Sequence, residues 1–293
     1  MDLTTLFCHI DDFWQAFQPF WEQQLLASGE RQRQRRTQLS MSEIMTLVIL
    51  FHQSGFRTFK TFYCHYVCQY LGGAFPELVS YNRFVELQSR AVVPLAAYLQ
   101  TRYGKSRGIA FIDATSIAVC HNRRIASHRV FEDLAARGKT SIDWFYGFKV
   151  HLVVNDQGEL LAVAITPANR DDRKPVPKMT WGLVGKLFGD KGYISQRLFA
   201  ELFERGLELI TTLRRNMKPR LLPIADKLLL RKRALIESVN DQLKNISQIE
   251  HSRHRSVKNF FVNLLAGLIA YTWQPTKPAL QFEDQNSALM IVC

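Results

Sequence analysis

The chain has 293 residues, 47% of them hydrophobic, and a formal net charge of +12. That length and apolar share exclude wholesale disorder and allow one large domain or two modest ones. A balance this basic calls for an anionic partner, nucleic acid first, with a membrane surface or an acidic protein as alternatives.

No apolar run reaches the length of a bilayer span, and the opening "MDLTTLFCHIDDFWQ" lacks the basic start and apolar core of a signal peptide. The five cysteines are Cys8, Cys64, Cys68, Cys120 and Cys293. Their spacing matches no zinc pattern, so a reduced, intracellular protein is expected, with Cys64 and Cys68 as core thiols one helical turn apart.

Residues 1–103 read as helical. "DDFWQAFQPFWEQQLLASG" is amphipathic, and the basic run Arg31–Arg36 follows as a linker. Ser40 and Glu43 have capping-box spacing before the apolar run that reaches Phe51, and Gly55 closes that helix. "TFKTFYCHYVCQYLGG" predicts the next helix. Another begins at a Ser80 cap and bends or restarts near Pro94. A helix-turn-helix module for binding DNA ends and a plain helical bundle both fit this region.

From about Arg107 the pattern changes to alternation with branched residues. "GIAFIDATSIAVC", "FYGFKVHLVVND" and "LLAVAITPAN" predict three successive strands, the last two joined by the hairpin "DQGE". A loop with a helix, a fourth strand "KLFGD", and a helix from Ser195 to a Gly206 stop come next. A fifth strand "LELITTLRR" precedes a long helix, "ADKLLLRKRALIESVNDQLKNISQIE", and a final helix, "SVKNFFVNLLAGLIAYTW". The order is β-β-β-α-β-α-β-α-α. The expected domains are 1–103 (helical), 104–275 (α/β with a five-stranded mixed sheet) and a tail over 276–293.

Three acidic residues stand in unusual places. Asp113 lies mid-strand, in phase with Ile109 and Phe111, where an ionised carboxylate is costly unless paired or metal-bound. A hydrogen bond to Thr115 is the plain alternative. Asp190 ends the fourth strand, where functional groups of α/β sheets gather. Gly189 and Gly192 beside it leave room for a ligand or simply shape a turn. In the long helix, Leu228, Leu235, Ile236, Val239, Leu243 and Ile246 form an apolar stripe, with Arg233, Glu237, Asn240 and Lys244 opposite. Glu237 is either the third acid of a site or half of a solvated i,i+4 pair. Together the three acids call for divalent cations, and hard oxygen donors favour Mg²⁺ or Mn²⁺. "RGKTS" is not a P-loop, because Asp133 stands where its first glycine belongs, so no nucleotide cofactor is expected. Asp171 and Asp172 read as a helix cap.

With Asp, Asp and Glu on these elements, the chain resembles the ribonuclease H-like core of DDE transposases. More narrowly, it resembles the IS982 family of bacterial insertion-sequence transposases nearly end to end. The stretches "SEIMTLVILFHQSGFRTFKTFY", "LVSYNRFVEL", "FIDATSIAVCHNRRI", "GKTSIDWFYGFKVHLVVND", "LFGDKGYIS" and "IEHSRHRSVKNFFVNLLAGLIAY" carry the likeness. The resemblance implies Asp113, Asp190 and Glu237 as catalytic residues and ligands of two Mg²⁺ or Mn²⁺ ions. It implies cleavage at the terminal inverted repeats and strand transfer by a dimer or larger assembly on double-stranded DNA, in the bacterial cytoplasm at the nucleoid. Arg233, Glu237 and Lys244 keep the spacing of the IS4-type helix signature, with Leu230 at its tyrosine position, and Asp143 stands where a small residue is expected. Arg233, Lys244, Asn240, Lys191, Lys149 and His151 are the expected DNA contacts.

Overall fold

The computed structural model describes residues 2–28, 37–140, 143–213, 217, 221–250 and 254–280. The basic run at 31–36 and Cys293 lie outside the described residues. The N-terminal helices are α1 (Leu3–Ala27), α2 (Met41–Gln53), α3 (Phe59–Thr61), α4 (Cys68–Tyr70), α5 (Tyr81–Gln88) and α6 (Val92–Thr101). The capping box forms as its spacing requires: Glu43 N donates to Ser40 Oγ, and Ser40 N donates to Glu43 Oε2. Between α3 and α4 the chain makes a π-helical turn, Phe62–Val67. Cys64 is half-buried and Cys68 is exposed, so Cys68 is not the core thiol expected. The restart before Pro94 is a 3₁₀ turn at Ser89–Ala91, which leaves the proline in the first turn of α6, where its missing N–H costs nothing.

The sheet comprises β1 (Ile109–Cys120), β2 (Ala136–Lys139), β3 (Trp144–Asn155), β4 (Leu160–Pro167), β5 (Gly185–Gly189) and β6 (Leu207–Thr211). Its order is β2-β3-β1-β5-β6, with β4 also on β3. The long β3 is antiparallel to β1 on one side; on the other it pairs first with β2 and then with β4. β5 and β6 are parallel to β1 and to each other. This is the mixed, helix-flanked sheet of a ribonuclease H-like fold. The four-residue β2 is a sixth strand, and it holds Gly138 and Lys139 of "RGKTS" in a ladder, not in a phosphate loop.

Period two divides the residues of β1 and β3 between two layers. Phe111, Ile117, Phe148, Val150, Leu152 and Val154 face a large core shared with the N-terminal helices, α10 (Ala234–Asn245) and α11 (Val257–Thr272). Ala110, Ile112 and Val153 face a smaller core under α7 (Val176–Met179) and α8 (Gln196–Phe203). The predicted long helix is two helices, because α9 (Ile224–Arg231) ends before α10 begins at Ala234. The break shifts the helical phase and leaves Leu228 of the expected stripe 52% exposed, while Ile246, the residue that caps the end of α10, is 54% exposed.

Candidate active site

The last paired couple of β1 and β5 is Phe111 with Phe188, whose rings stand 5.6 Å apart. Carrying that register two residues on brings Asp113 level with Asp190, on the face that meets the helices. β5 has ended by then, and beyond Asp113 β1 keeps only β3 as a neighbour. The two acids therefore mark the place where the sheet splits.

Asp190 caps the short turn Lys191–Tyr193, its Oδ1 accepting from Gly192 N at 2.8 Å. The flanking glycines serve this turn. A Cβ on Gly192 would lie 2.9 Å from Asp190 Oδ1, and one on Gly189 would lie 3.1 Å from the Tyr193 ring and 3.2 Å from Ile112. The space beside Gly189 is thus filled by Tyr193.

α10 lays Leu235, Ile236, Val239 and Leu243 against the sheet. Asn240, on the same side, is buried, and its Nδ2 donates to Asp113 Oδ2 at 3.0 Å. The sequence grouped Asn240 with the exposed cations; here its amide holds a carboxylate. Glu237 lies one turn earlier on the helix, and Arg233 Nη2 donates to its Oε1 at 2.6 Å. Lys244 pairs with Glu250 at 3.1 Å, and Lys191 is exposed.

Burial, above all, raises the Asp113 carboxyl to about 6, and the charges of Asp190 and Glu237 push the same way. The backbone of Ala114 and the Arg233 guanidinium oppose them without prevailing. Carboxylate oxygens are the donors that hard divalent cations take, and a cation would relieve this field, so the residues suit Mg²⁺ or Mn²⁺ chemically. Among the described residues, no three His, Cys, Asp or Glu side chains close into a ready-made cation cage.

Tyr193 is a further resident that the sequence reading passed over. It is 2% exposed and its hydroxyl has no hydrogen-bond partner among the described residues. Burial raises its pKa well above the ordinary phenol value, and Asp113, Asp172 and Asp190 add to the shift. The available signal was an aromatic residue placed in the turn directly after a strand-end acid.

Lys149 and His151 lie elsewhere. They pair with Ser116 and Ala114 across the ladder, and so occupy the sheet face opposite Asp113. Lys149 binds Asp172 at 2.8 Å. His151 is fully buried, with Nε2 2.8 Å from Thr166 Oγ1, and burial holds its pKa below the ordinary histidine value. A ring with no exposed surface offers nothing to a phosphate. Asp172 is thus an ion-pair partner, while Asp171 secures a turn by accepting from Arg173 N. Leu230 packs against the large core, and Asp143 sits in the turn between β2 and β3, where its Oδ1 accepts from Trp144 N.

A family profile described as "Transposase DDE domain" matches residues 103–257, just over half of the chain, from before β1 to the first residue of α11. That span takes in Asp113, Asp190 and Glu237. No curated protein matches the chain at a significant level. Sheet order, the acids at its split and this match agree: the chain belongs to the family of transposase DDE domains.

Proposed function

We propose that the protein is an IS982-type DNA transposase. It binds the terminal inverted repeats of an insertion sequence, hydrolyses a phosphodiester at the element boundary and joins the freed 3′-hydroxyl to target DNA. The observation that carries this reading is the carboxyl of Asp113 at the open split of the sheet, its pKa raised first by burial and further by the charges of Asp190 and Glu237. In this reading those three residues are catalytic and hold one or two Mg²⁺ or Mn²⁺ ions. The ions, when bound, supply charge neutralisation and Lewis-acid polarisation of the phosphodiester. Asn240 orients the Asp113 carboxylate through its 3.0 Å amide bond. Arg233 steadies Glu237 and, with Lys244 and the exposed Lys191, offers cations to phosphates near the scissile bond. The +12 charge suits a DNA substrate.

Work on two element ends calls for at least a dimer. The outer half of α1 supports this, with Phe13, Phe17 and Trp21 stacked in a row at 5.3 and 6.2 Å and Phe20 56% exposed beside them. No helix among the described residues is long and apolar enough to cross a membrane, and the reading places the protein on DNA in the bacterial cytoplasm.

The test uses purified protein, end-labelled element-end duplex and Mg²⁺. Nicks bearing 3′-hydroxyls are expected at the element boundary, and Asp190→Ala should bind the same DNA without cutting it. Normal cutting by that variant would overturn the assignment of the three acids. A wild type that binds and never cuts would make the protein a DNA-binding relic.

A further inference from the structure

A groove of about 540 Å³ lies away from the carboxylates, between the N-terminal helices and the start of α11. Arg57 and Lys60, from the link between α2 and the π-helical turn, stand on one wall, and Arg255, just ahead of α11, on another. Nearly two hundred residues of sequence separate these cations, and the fold brings them to one opening. All three are exposed, and among the described residues no ion pair engages any of them. Among the described residues, no carboxylate lines the groove.

The rest of the lining is polar and aromatic. Asn82 and Tyr81 of α5 face Asn259 of α11, whose Nδ2 donates to Val85 O and whose Oδ1 has no hydrogen-bond partner among the described residues. Converging cations repel one another unless an anion shares the site. Exposed cation heads with amides between them suit a polymer backbone lying across the opening better than a small anion enclosed by it.

We infer that this groove holds the sugar-phosphate backbone of duplex DNA flanking the cleavage site. The inference rests on the transposase reading above. Gln248, which also lines the groove, follows the last turn of α10, the helix whose first turn carries Glu237. The eight helical steps from Glu237 to Asn245 rise about 12 Å at about 1.5 Å each. A strand reaching from one to the other covers roughly four nucleotide steps at about 3.4 Å per step. The groove therefore anchors DNA without touching the reacting phosphate.

The experiment compares three full-length proteins by fluorescence anisotropy on a labelled duplex from about 50 to 200 mM salt, a range in which phosphate contacts titrate strongly. They are wild type, Arg57→Gln/Lys60→Gln/Arg255→Gln, and a control with equal charge loss on exposed residues elsewhere, Lys178→Gln/Arg197→Gln/Lys227→Gln. The groove variant should bind at least about tenfold more weakly, with a log–log salt slope shallower by about 2 to 3, at roughly 0.9 per phosphate contact. The control should stay close to wild type. At saturating DNA and Mg²⁺, the groove variant should cut at the wild-type rate.

Equal losses in both variants would overturn the inference in favour of a general charge effect. Unchanged binding by the groove variant would overturn it while leaving the transposase reading intact. So would a groove variant that binds weakly and, when saturated, cuts as slowly as Asp190→Ala, because the groove would then belong to the reacting centre. A wild type with no affinity for duplex DNA would overturn both readings.

Discussion

Replacing Asp113 with asparagine should stabilise the metal-free protein. The wild-type carboxyl is raised from 3.8 to about 6 by burial and by the charges of Asp190 and Glu237. At about 1.4 kcal/mol per pKa unit, the ionised group costs the fold roughly 3 kcal/mol at neutral pH. Between pH 3.8 and about 6 the native chain keeps a proton that the unfolded chain releases, so wild-type stability falls as pH rises through this window. The Asp113→Asn variant would have no such loss, and the carbonyl of its new amide can accept from Asn240 Nδ2 as the carboxylate does. In EDTA at pH 7.5 the variant should melt roughly 6 to 12 °C above wild type, at about 2 to 4 °C per kcal/mol, and near pH 4 the two should converge. Added Mg²⁺ should reverse the order. A roughly thousandfold excess over Kd stabilises wild type by about 4 kcal/mol, more than the roughly 3 kcal/mol between the two proteins, and the variant should gain little. Calorimetry with and without EDTA across this pH range reads all three effects. Equal or lower melting of the variant at pH 7.5 in EDTA would refute the acidic field at the sheet split.

Gly189→Ala should cost about 1 to 3 kcal/mol in urea unfolding, because its Cβ would press on Tyr193 and Ile112 at 3.1 and 3.2 Å; a neutral result would mean that the tyrosine ring is not lodged there. Lys186→Met should destabilise by about 2 kcal/mol by stranding Asp226, whose side chain is 3% exposed and bonded to Lys186 Nζ at 2.6 Å. Adding Asp226→Leu should recover most of that loss in a double-mutant cycle, and simple additivity would contradict the pairing. His52, buried against Ser247 O, has its pKa lowered from 6.5 to about 4, chiefly by burial. The unfolded chain takes up that proton first, so stability should fall by up to about 3 kcal/mol as pH drops from 6.5 to 4. His52→Gln should flatten this pH profile, and an unchanged slope would assign the acid sensitivity to another group.

Much of this protein was legible locally. The capping box at Ser40 and Glu43, the caps at Ser80 and Ser195, and the alternation that set Asp113 in phase with Phe111 depend on residues within a few positions of one another. Local chemistry of that kind is carried by the sequence itself. Asp113 and Asp190 stood out because a carboxylate within or ending an apolar strand conflicts with its neighbours unless something else accounts for it, and Glu237, on a polar helix face, stood out only beside them.

Tertiary structure decided what depends on partners distant in sequence. The parallel register of β1 with β5 leaves no local pattern, yet it sets Asp113 level with Asp190. Which side of α10 is buried depends on the sheet beneath it and on the break after α9, so Asn240 turned inward to Asp113 while Leu228 of α9 turned out. Lys149 and His151 share a strand face, but only the β1–β3 ladder shows that it is the face opposite Asp113. The glycines of "FGDKGY" fitted either room for a ligand or a plain turn; packing gives the space to the Tyr193 ring and the Asp190 turn. Arg57, Lys60 and Arg255 meet only because α11 folds back onto the N-terminal helices, a contact between segments too distant for any local periodicity to record.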